Sequence, residues 1–132
     1  MSTWSKRAPG RPRLTVERFD ALVQDALDAL PVWVQGRLDA VTVAVEPEPP
    51  PDEPLDTLGL YIGGSLLDEA LYAAPPMVLI FQGPHERACR SLGELRREVA
   101  ETVLHEVAHH FGMEEDEIES FGSLRLPPRD RR

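Results

Sequence analysis

At 132 residues with a formal net charge of −9, the chain can build one modest hydrophobic core and no second domain. A composition 42% hydrophobic and 28% charged belongs to a soluble globular protein, no apolar run reaches the roughly 18 residues a membrane span needs, and the acidic excess disfavours nonspecific nucleic-acid binding. A lone cysteine, Cys89, excludes an internal disulfide, and the basic start MSTWSKRAPGRPRL has no apolar signal core, so a cytoplasmic protein is expected.

In chain order, the first feature is a basic end: Lys6, Arg7, Arg11 and Arg13 interspersed with Pro and Gly. It is matched at the other end by Arg125, Arg129, Arg131 and Arg132. Both read as disordered basic tails, 1–13 and 125–132, flanking one domain over 14–124. PGRPR has the composition of a minor-groove arm, but it is short and occurs once, so nucleic acid is not an expected partner.

Residues 15–30 carry Phe19, Leu22, Val23, Ala26, Leu27 and Leu30 at the spacing of one apolar helical face. Thr15 is placed as N-cap, Leu14 and Phe19 as a hydrophobic staple, and Pro31 ends the helix or begins a short continuation through Trp33. VTVAVE (41–46) reads as a strand with Val41, Val43 and Val45 on one face. PEPPPDEP then interrupts regular structure. LGLYIG (58–63) and MVLIFQ (77–82) are further strand candidates. Ser91 and Glu94 form a capping-box signature opening a long helix to about Phe111, which Gly112 is placed to stop. A short acidic helix from Glu114 to Phe121 follows. The fold class expected is α+β, a few-stranded mixed sheet packed on an N-terminal helix and the long helix.

That long helix carries the chemistry. His105 and His109 are four apart, about 40° around the helix axis, so both imidazoles reach one metal ion without distorting the backbone. Glu106 sits beside them in the H-E-x-x-H arrangement, in which two histidines bind zinc and the glutamate is the general base. Zinc lowers the pKa of its water towards ~7, the zinc-bound water attacks a peptide carbonyl, and the carboxylate takes its proton and passes it to the leaving amine. The competing account is a surface histidine pair.

Leu92, Leu95, Val99, Val103, Leu104, Val107 and Phe111 span the opposite side of the helix. Glu94, Glu98 and Glu101 share the histidine side and read as a solvated face. His110 falls about 140° from His105 and reads as a core histidine bonded to a carbonyl. His85 is a poor third ligand, because about 21 Å of helix separates Ser91 from His105. The acidic run after Gly112 is nearer: Glu115, six residues beyond His109, takes the third-ligand position of longer H-E-x-x-H patterns, with Asp116 the alternative and Glu119 next.

GLYIGGSLLDEA, PPMVLIFQGPHERAC and LGELRREVAETVLHEVAHHFGMEEDEIESFG together resemble the minimal zincins, predicted bacterial metallopeptidases. The resemblance implies a zincin-like core containing the active-site helix, zinc bound by His105 and His109, and Glu106 as catalytic base. The function expected is a zinc-dependent metallopeptidase acting on a peptide or protein substrate. The alternative is a non-catalytic, metal-binding zincin-like module that binds a protein partner. Tyr61 or Tyr72 is a candidate oxyanion donor, although packing as a buried aromatic is the role expected of either.

Overall fold

A computed structural model describes residues 12–63, 75–113 and 116–117. The elements run α1 (Val16–Asp28), α2 (Val32–Gln35), β1 (Thr42–Glu46), β2 (Gly59–Ile62), β3 (Met77–Phe81), α3 (Gln82–Ala88) and α4 (Leu92–His110). Tail 125–132, and tail 1–13 apart from Pro12 and Arg13, lie outside the described residues. So does most of the expected acidic helix, of which only Asp116 and Glu117 are described, both helical.

The helix ends obey the local signals. The Thr15 hydroxyl accepts from Arg18 N at 3.1 Å and starts α1. Past its C-terminus, Gln35 Nε2 donates to the carbonyls of Asp28 and Leu30, at 3.0 and 2.7 Å. These are backbone acceptors that the helix cannot satisfy itself. Ser91 Oγ accepts from Glu94 N at 3.0 Å and starts α4. The reciprocal bond of the capping box is shifted by one residue: Glu94 Oε1 accepts from Arg90 N at 2.8 Å instead of from Ser91 N. At the other end, Gly112 N bonds to His109 O and Met113 N to Ala108 O, at 2.9 and 3.2 Å. These two bonds close a Schellman motif, which requires the left-handed Gly112, φ +76°.

β3 is the middle strand of the sheet, in the order β1-β3-β2. β1 pairs with it in parallel from Thr42↔Met77 to Glu46↔Phe81. β2 pairs with it antiparallel from Gly59↔Ile80 to Ile62↔Met77. The sheet is therefore mixed, and among the described residues β1 and β2 are its edges. Val78 and Ile80 of β3, both fully buried, join Phe19, Val23, Leu95, Val99 and Val103 in one core. α4 lies between α1 and the sheet and supplies much of the apolar surface to both.

The strands are shorter than their apolar runs. β1 begins at Thr42, not 41, and β2 spans 59–62, not 58–63. β3 stops at Phe81, and Gln82 opens α3, a helix not expected from sequence. Gln82 Nε2 donates to Leu14 O and to Glu86 Oε2, while Leu14 N donates to the same carboxylate oxygen. This polar clamp joins α3 to the entry of α1, so long-range partners favour the turn into helix over one more strand residue. Leu92 is another departure: assigned to the apolar arc of α4, it is 43% exposed, because the first residue of α4 lies beyond the core that Leu95, one turn on, enters.

Phe19 and Leu92 therefore differ in energetic weight. Phe19→Ala removes a fully buried ring and is expected to cost about 3–5 kcal/mol in denaturant-monitored stability. Leu92→Ala should stay within about 0.5 kcal/mol of the parent chain.

Candidate active site

The last two turns of α4 bring His105 and His109 together, with ring centroids 4.8 Å apart and planes inclined by 76°. Both are half-buried, whereas Glu106 between them is only 9% exposed. A cleft of about 390 Å³ opens beside this face, walled by Leu58 and Gly59 at the start of β2 and by Glu101, His105 and Glu106 of α4.

Gly59 sets how closely β2 can approach. A Cβ built there would lie 2.7 Å from Thr102 Cγ2, 3.1 Å from Glu106 Cγ and 3.2 Å from Leu79 O. Only a residue without a side chain lets strand and helix meet at the glutamate.

The loop between β1 and β2 forms the outer wall. Arg87 of α3 binds Glu48 through two parallel bonds of 2.8 and 3.0 Å, and its Nη2 also donates to Leu55 O at 3.0 Å. The side-chain hydrogen bond from Arg87 holds the Glu48 carboxyl below its ordinary pKa, and Glu48 in turn raises that of Arg87. The pair is well exposed, so its value lies in fixing the loop more than in net stability. The exposed Asp56, next to Leu55, lines the cleft together with Glu98 and Glu101. Those two glutamates are half-buried.

His110 points away from the His105–His109 pair and is buried, 3% exposed. Its Nδ1 lies 2.7 Å from the Tyr61 hydroxyl, a partner on β2 that the sequence did not indicate. Tyr61 is half-buried, packs edge-on against the His110 ring, and ties β2 to the end of the helix. Tyr72 lies outside the described residues.

His85, fully buried, contacts Phe81 O through Nδ1 at 2.8 Å and Thr102 Oγ1 through Nε2 at 2.9 Å. Burial pushes its pKa below the ordinary histidine value, against the opposing pull of the Phe81 and Glu98 carbonyls. A carbonyl can only accept, so Nδ1 carries the proton shared with Phe81 O, while the Thr102 hydroxyl that lies against Nε2 donates to Glu98 O at 2.9 Å. His85 thus braces α3 against α4 from beneath the cleft.

Among the described residues, no three His, Cys, Asp or Glu side chains lie close enough together to hold a metal ion. His105 and His109 are therefore together without Asp116, which is exposed and accepts from Glu117 N through Oδ1 at 2.9 Å. Glu115 and Glu119 lie outside the described residues.

Sequence reasoning did not single out Asp56, Gly59 or Thr102. An isolated glycine in a strand pattern was a usable signal of close backbone approach. For Asp56 and Thr102 no local signal existed, because their neighbours come from elsewhere in the chain.

The model of the zincin-like metallopeptidase family matches residues 38–123, more than half of the chain, and the protein belongs to that family. Among solved structures the chain is similar to a conserved hypothetical protein from Thermo thermophilus, at 26% identity and a TM-score of 0.53. That similarity covers 83% of this chain and 99% of the other. No curated protein matches the sequence. No helix among the described residues is long and apolar enough to cross a membrane.

Two outcomes follow from the packing beneath the cleft. Gly59→Ala should destabilise the fold by about 1–3 kcal/mol in chemical denaturation, since backbone and helix must part to admit the methyl group. For His85, the folded pKa lies below the unfolded value of about 6.5, so the unfolded chain takes up the proton first as the pH falls. Its contribution to stability is complete above pH about 6.5 and is lost progressively below it. Melting temperature should fall from that pH downward, and His85→Gln should flatten this acid slope while lowering the melting temperature at neutral pH.

Proposed function

We propose that this chain is a zinc-dependent peptide hydrolase in which His105 and His109 hold the metal and Glu106 is the general base. The observation that carries the proposal is the position of Glu106. It is nearly buried, one residue from His105, and lines the same cleft beside β2, an edge strand among the described residues. A metal serving only to brace the fold needs no carboxylate there. The donor chemistry fits zinc, which favours imidazole nitrogen and accepts carboxylate oxygen, and the two rings are close enough to share one ion. Glu115 is assigned as the third donor, with Asp116 and then Glu119 as alternatives.

Bound zinc supplies a Lewis acid that activates water and polarises the carbonyl under attack. Glu106 removes the proton from the attacking water and delivers it to the leaving amine. Its enclosure by Gly59 and Thr102 limits the positions that the carboxylate can occupy. The substrate chain extends along β2, whose outer edge borders the cleft, in the manner of strand addition. Tyr61, engaged with His110, acts by positioning the helix end rather than by donating to the oxyanion. The cleft is shallow, and the substrate is a narrow set of peptides or a protein that completes its walls.

Elemental analysis of the full chain purified without chelator and offered zinc should find one equivalent of metal, lost in His105→Ala. Failure of the parent chain to bind zinc stoichiometrically sinks the proposal. Glu106→Gln should retain zinc while turnover drops by roughly 10²–10⁴-fold. Undiminished zinc affinity in Glu115→Ala transfers the third-ligand role to Asp116 or Glu119. Zinc binding without cleavage of any member of a peptide library favours the non-catalytic, partner-binding module.

A further inference from the structure

We infer, on the hydrolase reading, that α3 sets the width of the cleft and that Arg87 is the positioning residue through which it holds the outer wall. Peptide affinity then depends on a side chain that is not among the residues lining the cleft. Both walls are tied to this one helix of seven residues. On one side, His85 Nε2 lies 2.9 Å from the hydroxyl of Thr102, a cleft-lining residue of α4. On the other, Arg87 Nη2 donates at 3.0 Å to Leu55 O, next to the cleft-lining Asp56.

The same guanidinium grips Glu48, so one side chain joins the two limbs of the loop between β1 and β2. The near limb sits tightly on α3. Gly83 N donates to Pro47 O at 2.9 Å, and a Cβ at Gly83 would run into the Glu48 carboxylate. The far limb is next held where Phe81 N donates to Leu58 O at 2.9 Å. Among the described residues, the hydrogen bonds that reach from 48–57 to another element are those of Arg87. Five prolines, Pro47, Pro49, Pro50, Pro51 and Pro54, stiffen this loop by fixing their backbone φ. A stiff loop with few ties shifts as a unit when one tie is cut. Because the Arg87–Glu48 pair is exposed, cutting it moves the wall and leaves the core standing.

The test uses the full chain loaded with zinc. Its probe is the N-acetylated, C-amidated library peptide that the Glu106→Gln chain binds most tightly by fluorescence anisotropy. Arg87→Ala should weaken that binding and raise KM on the order of 5–10-fold while kcat is unchanged. Arg87→Lys keeps the charge but cannot grip Glu48 through two parallel bonds, and should fall between the two. Arg96→Ala removes an exposed arginine of α4 and should alter neither constant. Hydrogen exchange reads the loop without any peptide. The amides of Glu53 and Thr57 are bonded to Pro50 O and Pro54 O. In Arg87→Ala they should exchange about 10-fold faster, while those of Val99 and Val103 stay as slow as in the parent. A residue serving stability alone would lower the melting temperature and speed exchange throughout, with KM unmoved. That pattern overturns the inference, as does unchanged exchange at Glu53 and Thr57 or an equal effect of Arg96→Ala. Unaltered KM in Arg87→Ala with turnover intact overturns the inference and keeps the hydrolase. Arg87-dependent peptide binding with no cleavage by the parent chain keeps the positioning role and removes the hydrolase. A chain that neither binds nor cleaves any library peptide overturns both.

Discussion

Helix α4 must satisfy two opposed demands along a single 19-residue length, and the other elements are arranged around that constraint. One side has to be apolar, since Leu95, Val99 and Val103 are fully buried against α1 and the sheet. The other has to remain polar and reachable, since it presents Glu98, Glu101 and His105 to the cleft. The 3.6-residue repeat of the helix makes this division possible. Its boundary is delicate, because Glu106 belongs to the polar face and yet is nearly buried.

That burial comes from β2. Its first residue, Gly59, lets the strand approach the helix at Thr102 and Glu106, and two residues later Tyr61 binds His110. The strand therefore contacts α4 at the start and end of the H-E-x-x-H segment, fixing the helix relative to the cleft wall. His85 reinforces the same region from α3 through Thr102. Thr102 is thus the junction of two supports: its methyl group faces Gly59 and its hydroxyl meets His85. Glu106, held between these supports, has few positions open to it, as its proposed role as a base requires.

Much of this architecture was legible along the chain. The apolar periodicity of residues 15–30, the Ser91 cap and the Gly112 stop are local, and local energetics decide them. The two roles of adjacent histidines were equally readable: a 100° step per residue separates His109, beside His105, from His110, in the core. Less legible were α3, which Gln82 and Glu86 stabilise through Leu14, and the partner of His110, which belongs to a strand 49 residues away. The first residue of α4 shows the limit of pattern alone, since Leu92 fits the apolar period but is 43% exposed.

By itself, the sequence determined the α+β class, the helix carrying His105, Glu106 and His109, and the division of that helix into an apolar and a polar face. These follow from residue spacing and capping chemistry, interactions that span a few positions. Only tertiary structure decided that β3 lies between β1 and β2, that the start of β2 borders the cleft, that Asp56 lines it together with Glu98 and Glu101, and that Gly59 closes on Glu106. Each of those depends on strand order and on contacts between distant segments, which no local pattern encodes.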